Sequence, residues 1–120
     1  KIMSLIKDGT MENNTMNKEE LISKILAEEI SYQGKSIVSK QIIKKPNGNV
    51  TLFAFGKDES LTEHTSPYEA LVFLVDGKME IKIGGKPVIV NANEIILLPA
   101  NVPHGLIALE NSKMLLTMIK

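Results

Sequence analysis

From Ser36 to the C-terminus the apolar residues come in runs of no more than about six, each stopped by glycine, proline, asparagine or charge. Runs this short have the length of strands, and a lone strand or hairpin cannot bury itself, so they must assemble into sheets. Asn47-Gly48 stands between SIVSKQIIK and VTLFAFG, the strongest short hairpin signal a sequence offers. MEIKI puts Met79, Ile81 and Ile83 on one face and Glu80 and Lys82 on the other, and Gly84-Gly85 turns it back into PVIV, so residues 79 to 90 predict a second hairpin. EIILLP and GLIALE follow, joined by the loop Ala100 to His104, and the chain closes on MLLTMIK. Roughly seven or eight short strands with turns at even spacing predict an all-β antiparallel fold, closed into a barrel or packed as a sandwich.

Two of the runs, ALVFLV (70 to 75) and EIILL (94 to 98), are apolar on both faces. A half-exposed strand alternates, so these predict cover on both sides. A second subunit is one cover, which leads us to expect a homodimer. An N-terminal helix is the other. Asn17 followed by Glu20 has the pattern of a cap, and Leu21, Ile22, Ile25, Leu26 and Ile30 recur at three- and four-residue spacing, predicting a helix over 17 to 30 that ends before Gly34. The organisation expected is therefore a tail or extension over 1–15, a helical segment within 16–34 and one β-domain over 35–120.

Several function classes are excluded by what the chain lacks. Fourteen basic and fourteen acidic side chains cancel, and no stretch concentrates lysine beyond Lys44-Lys45, so phosphate neutralisation on a nucleic acid has no basis. Without cysteine there are no disulfides, thiolate metal sites or cysteine nucleophiles. No apolar run approaches the roughly 20 residues of a bilayer span. A soluble, cytoplasmic protein with neither nucleic acid nor membrane as partner is expected. There is no Ser-His-Asp set, phosphate-binding glycine loop or paired-carboxylate signal; Gly84-Gly85 is a hairpin turn because no helix follows it. Met79, Met114 and Met118 lie in strand-like segments and read as packing.

The chain has two histidines, His64 and His104, and both stand at the junction of a polar loop and an apolar run. The block HTSPYEALVFLVDG, then a hairpin, then NEIILLPANVPH, resembles the two motifs of the cupin superfamily, closest to small stand-alone bacterial cupins, over about residues 37 to 119. The resemblance implies a small barrel of two facing antiparallel sheets, a double-stranded β-helix or jelly roll. It also implies a divalent metal held by three histidines and a glutamate. His64 matches the first histidine and His104 the last, Gly77 the closing glycine of the first motif and Pro99 the proline of the second. Ser66 stands where the family has its middle histidine, and Ala70 where it has the glutamate. The family's remaining glycines fall on Asp58, Asn93 and Asn101, and asparagine tolerates the left-handed backbone that glycine supplies. The frame reads as kept and the metal shell as eroded.

What the resemblance leaves for the site is a pocket around His64 and His104, with Ser66 and Tyr68 as further ligand-binding residues and a small polar molecule as ligand. A metal bound by His64 and His104 needs a third donor, for which Glu69 is the first candidate and Tyr68 and Glu63 the others. Glu69 is one residue from the family's glutamate, so only a bulge after Pro67 would turn it inward. With such a set, zinc, iron, manganese and nickel all remain open. Three functions stay in play: a binding module for a small polar ligand, a metal-dependent enzyme of isomerase, dioxygenase or lyase type, and a structural or sensory barrel without metal or catalysis.

Overall fold

The structure is a computed structural model that describes residues 22–120. Nine strands follow in chain order: β1 (Ile37–Lys45), β2 (Gly48–Phe55), β3 (Ser60–His64), β4 (Glu69–Asp76), β5 (Lys78–Ile83), β6 (Lys86–Asn91), β7 (Ile95–Leu98), β8 (His104–Ala108) and β9 (Ser112–Ile119). They form a five-stranded sheet in the order β1-β2-β9-β4-β7 and a four-stranded sheet in the order β3-β8-β5-β6, with every pairing antiparallel. The two sheets face each other across an apolar core. Phe55, Val72, Leu74, Met79, Ile81, Ala108 and Met114 are almost wholly enclosed there. Among the described residues no helix is long and apolar enough to cross a membrane.

Both hairpins form, and their turns differ. Gly84 and Gly85 both take positive φ, 59° and 81°, which suits the right-handed twist of β5 and β6. In the first hairpin the two turn residues are Pro46 and Asn47, with Lys45 opposite Gly48. Neither Asn47 nor Gly48 has positive φ; proline at the first central position fixes the turn instead. Gly48 is needed for another reason: a Cβ there would lie 2.7 Å from the carbonyl oxygen of Met118 on the adjoining β9.

The helix expected over 17 to 30 is not formed where the chain is described. Residues 17–21, with Asn17 and Glu20, lie outside the described residues, and from Ile22 to Tyr32 the only helical element is the 3-10 turn Leu26–Glu28. The segment is instead an irregular strap across the outer face of the five-stranded sheet. Ile30 is buried against Leu52 and Ala54, with Leu26, Tyr32, Val38, Val75 and Leu115 around it. Lys113 Nζ donates to the Ala27 carbonyl at 2.6 Å and lies 4.8 Å above the Tyr32 ring, whose hydroxyl donates to Asp76 at 2.9 Å. Partial burial and the adjacent Asp76 carboxylate push the Tyr32 phenol above its ordinary value of 10.0. Glu29 joins Lys40 at 3.0 Å. A helix of about 14 residues is marginal by itself, and these contacts to the sheet outweigh its propensity. Sequence periodicity thus identified the covering segment and mistook its conformation.

The three asparagine and aspartate substitutions carry the backbone as expected. Asp58, Asn93 and Asn101 have φ of 72°, 73° and 65°, and they are the only non-glycine residues with positive φ among those described. Asn93 N–H donates to Leu74 and Asn101 N–H to Ser66, both at 2.7 Å. The second of these bonds ties the loop before β8 to the loop after β3, the two loops that adjoin the histidines.

Candidate functional site

The site lies between the sheets at the end where β3 and β8 meet. His64 is the last residue of β3 and His104 the first of β8, and their Cα atoms are register partners. Their rings stand edge to face, with centroids 4.4 Å apart and planes at 65°. His104 is buried, whereas His64 is exposed, so one imidazole closes the inner wall and the other stands at the mouth.

Each ring is anchored by its Nδ1. His64 Nδ1 is 2.8 Å from the Thr62 carbonyl and His104 Nδ1 is 3.3 Å from the Val102 carbonyl. A carbonyl oxygen can only accept, so Nδ1 carries the proton in each ring, and Nε2 of the neutral imidazole is left with a free lone pair. Backbone carbonyls thus set both tautomers, as outer-shell partners do for metal-binding histidines.

Beside the rings is a cavity of about 70 Å³, several times the space one water needs, lined by Leu61, His64, Ser66, Tyr68, Ala70, Leu98, His104, Leu106, Met114, Leu116 and Met118. All four positions that the motifs imply, 64, 66, 70 and 104, therefore line one cavity, although β3 ends at His64 and Ser66 is in a loop. Ser66 Oγ accepts from the Tyr68 amide at 3.2 Å, which holds that loop against the opening.

Glu69, the candidate third ligand, lines no part of the cavity. It is exposed and pairs with Ile119, while the next residue, Ala70, is buried and faces in. The β4–β9 register is regular from Glu69 to Leu74, so no bulge turns the carboxylate inward and strand alternation keeps it outside. Glu63 belongs to a separate open groove on the outer side of the four-stranded sheet, with Glu80 and Lys82. Among the described residues no three histidines, aspartates or glutamates come together. The donor set therefore does not fit a divalent ion bound by three histidines and a glutamate.

The sequence did not single out Met114 and Met118 as part of the site. The signal for them was the alternation of β9, which puts Met114, Leu116 and Met118 on the inner face, and Met118 is the register partner of Ala70.

Comparison with known proteins agrees with this geometry. The profile of the cupin domain family matches residues 51–120. No curated protein matches. Among solved structures, a conserved protein of unknown function from Streptococcus pyogenes has a TM-score of 0.81 at 28% identity, covering 90% of this chain and 92% of that one. A cupin 2 conserved barrel domain protein from Leptotrichia buccalis has a TM-score of 0.76 at 45% identity over 78% of this chain; the match spans 46% of that protein, about half its length. KdgF from a Halomonas species, at 19% identity, TM-score 0.65 and coverage of 75% and 84%, shares the fold.

Proposed function

The chain belongs to the cupin domain family, and from that premise we propose that it is a ligand-binding barrel whose cavity between His64 and His104 holds a small molecule. One observation supports this above others: residues from β3, β4, β7, β8, β9 and the loop after β3 enclose a single cavity that presents two imidazole nitrogens in otherwise mostly apolar walls. Pockets of this make-up, apolar with a few convergent polar groups, are the usual form of a small-molecule site. The ligand that fits is compact, with an apolar body against Leu98, Leu106 and Leu116 and one polar head that donates to an Nε2 or to the hydroxyls of Ser66 and Tyr68. The fold alone assigns no reaction, and none is assigned.

A thermal-shift screen of small hydroxylated, amino and carboxylic compounds tests this reading. A true ligand raises the melting temperature by roughly 5 °C at saturation. It has no effect on Ala70→Leu, which adds three carbon atoms to the cavity wall and leaves both histidines in place, or on His64→Ala. An equal shift in Ala70→Leu overturns the reading.

We also propose that a second copy of the chain covers the part of the five-stranded sheet left open by the strap. Support comes from Leu71, Ile95, Leu97 and Ile119, which are 39% to 67% exposed on the outer face of β4, β7 and β9. Exposed apolar groups in such number on one face are a common mark of an interface.

A further inference from the structure

Two rows of side chains on the inner face of the five-stranded sheet continue beyond the apolar wall of the cavity. Leu98, Ala70 and Met118 line the cavity, and across the register their row runs on to Asn49 of β2 and Lys44 of β1. The neighbouring row runs from Leu116 to Thr51 and Gln41. Strand partners share a face. The bulge between Gln41 and Ile43 keeps this order, since Ile43 pairs with Val50 on the outer face and Lys44 with Asn49 on the inner one. Ala70 and Leu98 are buried, Met118 and Asn49 half-buried and Lys44 exposed, so the first row climbs from the cavity to solvent as a polar shelf.

A second cation reaches the rim from the end of β9. Lys120 Nζ lies 5.7 Å from the centre of the Tyr68 ring, and Tyr68 lines the cavity. The Lys120 amide donates to the Asn47 carbonyl at 2.9 Å. That bond ties the end of β9 to the turn of the first hairpin, so Lys44 and Lys120 stand at the same end of the sheet.

Charge is what the shelf selects. Its two rows and the rim hold lysines, amides and hydroxyls, and no aspartate or glutamate side chain; Glu69, next to Ala70, is exposed on the other face. Among the described residues the ion pairs are those of Glu29 with Lys24 and Lys40, so no acidic side chain there neutralises Lys44 or Lys120. In a chain of zero net charge, a mouth of one sign draws the opposite one. The chain has no arginine and so no planar fork for a phosphate, whereas two lysines on separate strands suit a carboxylate. Inside the cavity the free Nε2 atoms accept a proton donor, which a hydroxyl of the same molecule supplies.

We propose that Lys44, Asn49 and Lys120 form an anion subsite at the mouth of the cavity, and that the ligand is a small hydroxy acid. Its apolar body and hydroxyl enter the cavity and its carboxylate rests on the shelf. The proposal rests on the reading of the cavity as a small-molecule site and names the chemical class it takes.

The test is calorimetric titration of the full chain with hydroxybutyrate, hydroxyisovalerate and hydroxyhexanoate, each beside its primary amide, which keeps the hydroxyl and the shape and removes the charge. At least one acid is expected to bind roughly 10-fold tighter than its amide, and to weaken in about 0.5 M salt, where charges are screened within about 4 Å. Lys44→Gln and Lys120→Gln, both at exposed positions, each weaken the acid roughly 3-fold and together about 10-fold. The amide is unaffected, and Lys44→Arg keeps the affinity for the acid. Lys82→Gln/Lys86→Gln, on the other sheet, changes neither. Equal affinity for acid and amide, or acid binding unchanged in Lys44→Gln/Lys120→Gln, overturns the proposal; loss of that binding in Ala70→Leu would leave the cavity reading standing. If no acid or amide binds, the proposal falls, and the broader screen on the wild type and Ala70→Leu decides the cavity reading separately.

Discussion

At residue scale, the chain keeps the backbone demands of its family while its site chemistry has changed. Asn93 and Asn101 adopt the left-handed conformation because their short polar side chains tolerate it better than other non-glycine residues do. Asn101 also links the two loops that adjoin the histidines through its bond to Ser66. Asn101→Ala is therefore expected to cost about 1 kcal/mol, and Asn101→Gly to stay within about 0.5 kcal/mol of the wild type, its relief of strain offset by the added freedom of the unfolded chain. Urea unfolding of the two variants checks this; equal losses would mean that the Asn side chain, not the conformation, matters. The site residues follow a different logic. Ser66 and Ala70 occupy ligand positions with groups too short or too inert to bind metal, and these identities were legible in the motifs. That all four positions line one cavity was only implied there.

At the scale of elements, the strands were legible because alternation and turn residues are local signals. The hairpin over 78–91 turns at Gly84-Gly85 as its turn pair placed it, and the hairpin over 37–55 forms with its turn one residue earlier than Asn47-Gly48, at Pro46-Asn47. The reason for Gly48 was not legible, because it depends on β9, about seventy residues away in the chain. Gly48→Ala is expected to destabilise by roughly 1–3 kcal/mol, since the obstructing atom is a backbone carbonyl that cannot rotate away. The change in denaturation midpoint measures it, and a loss below about 0.5 kcal/mol would show that β2 and β9 can separate at no cost. The strap is the converse case. Leu26 and Ile30 carry a helical spacing, yet they meet the sheet from an irregular segment fixed by Lys113, Asp76 and Lys40. Three long-range polar contacts cannot be read from a periodicity.

At the scale of the whole molecule, the doubly apolar strands have one face in the core and the other only partly covered. The strap shelters Val75 and Leu115, and Leu71 and Leu97 face each other across β4 and β7 in the open. A dimer burying roughly 1,600 Å² or more is expected. Light scattering at micromolar concentration should give twice the chain mass, and Leu71→Lys/Leu97→Lys should give a monomer with an unchanged far-ultraviolet spectrum. A monomeric wild type would leave residues before Ile22, or another protein, as the cover.

The sequence by itself determined the class of fold and the hairpin pattern, because each depends on local sterics or on a two-residue period; the left-handed positions and the meeting of His64 with His104 were what the family resemblance implied, and the structure forms both. Tertiary structure alone decided that Glu69 faces out, that Met114 and Met118 share the histidines' cavity, and that the N-terminal segment is a strap. Those outcomes depend on which strands become neighbours, and β9, which lies beside both β2 and β4, brings together residues from opposite ends of the domain.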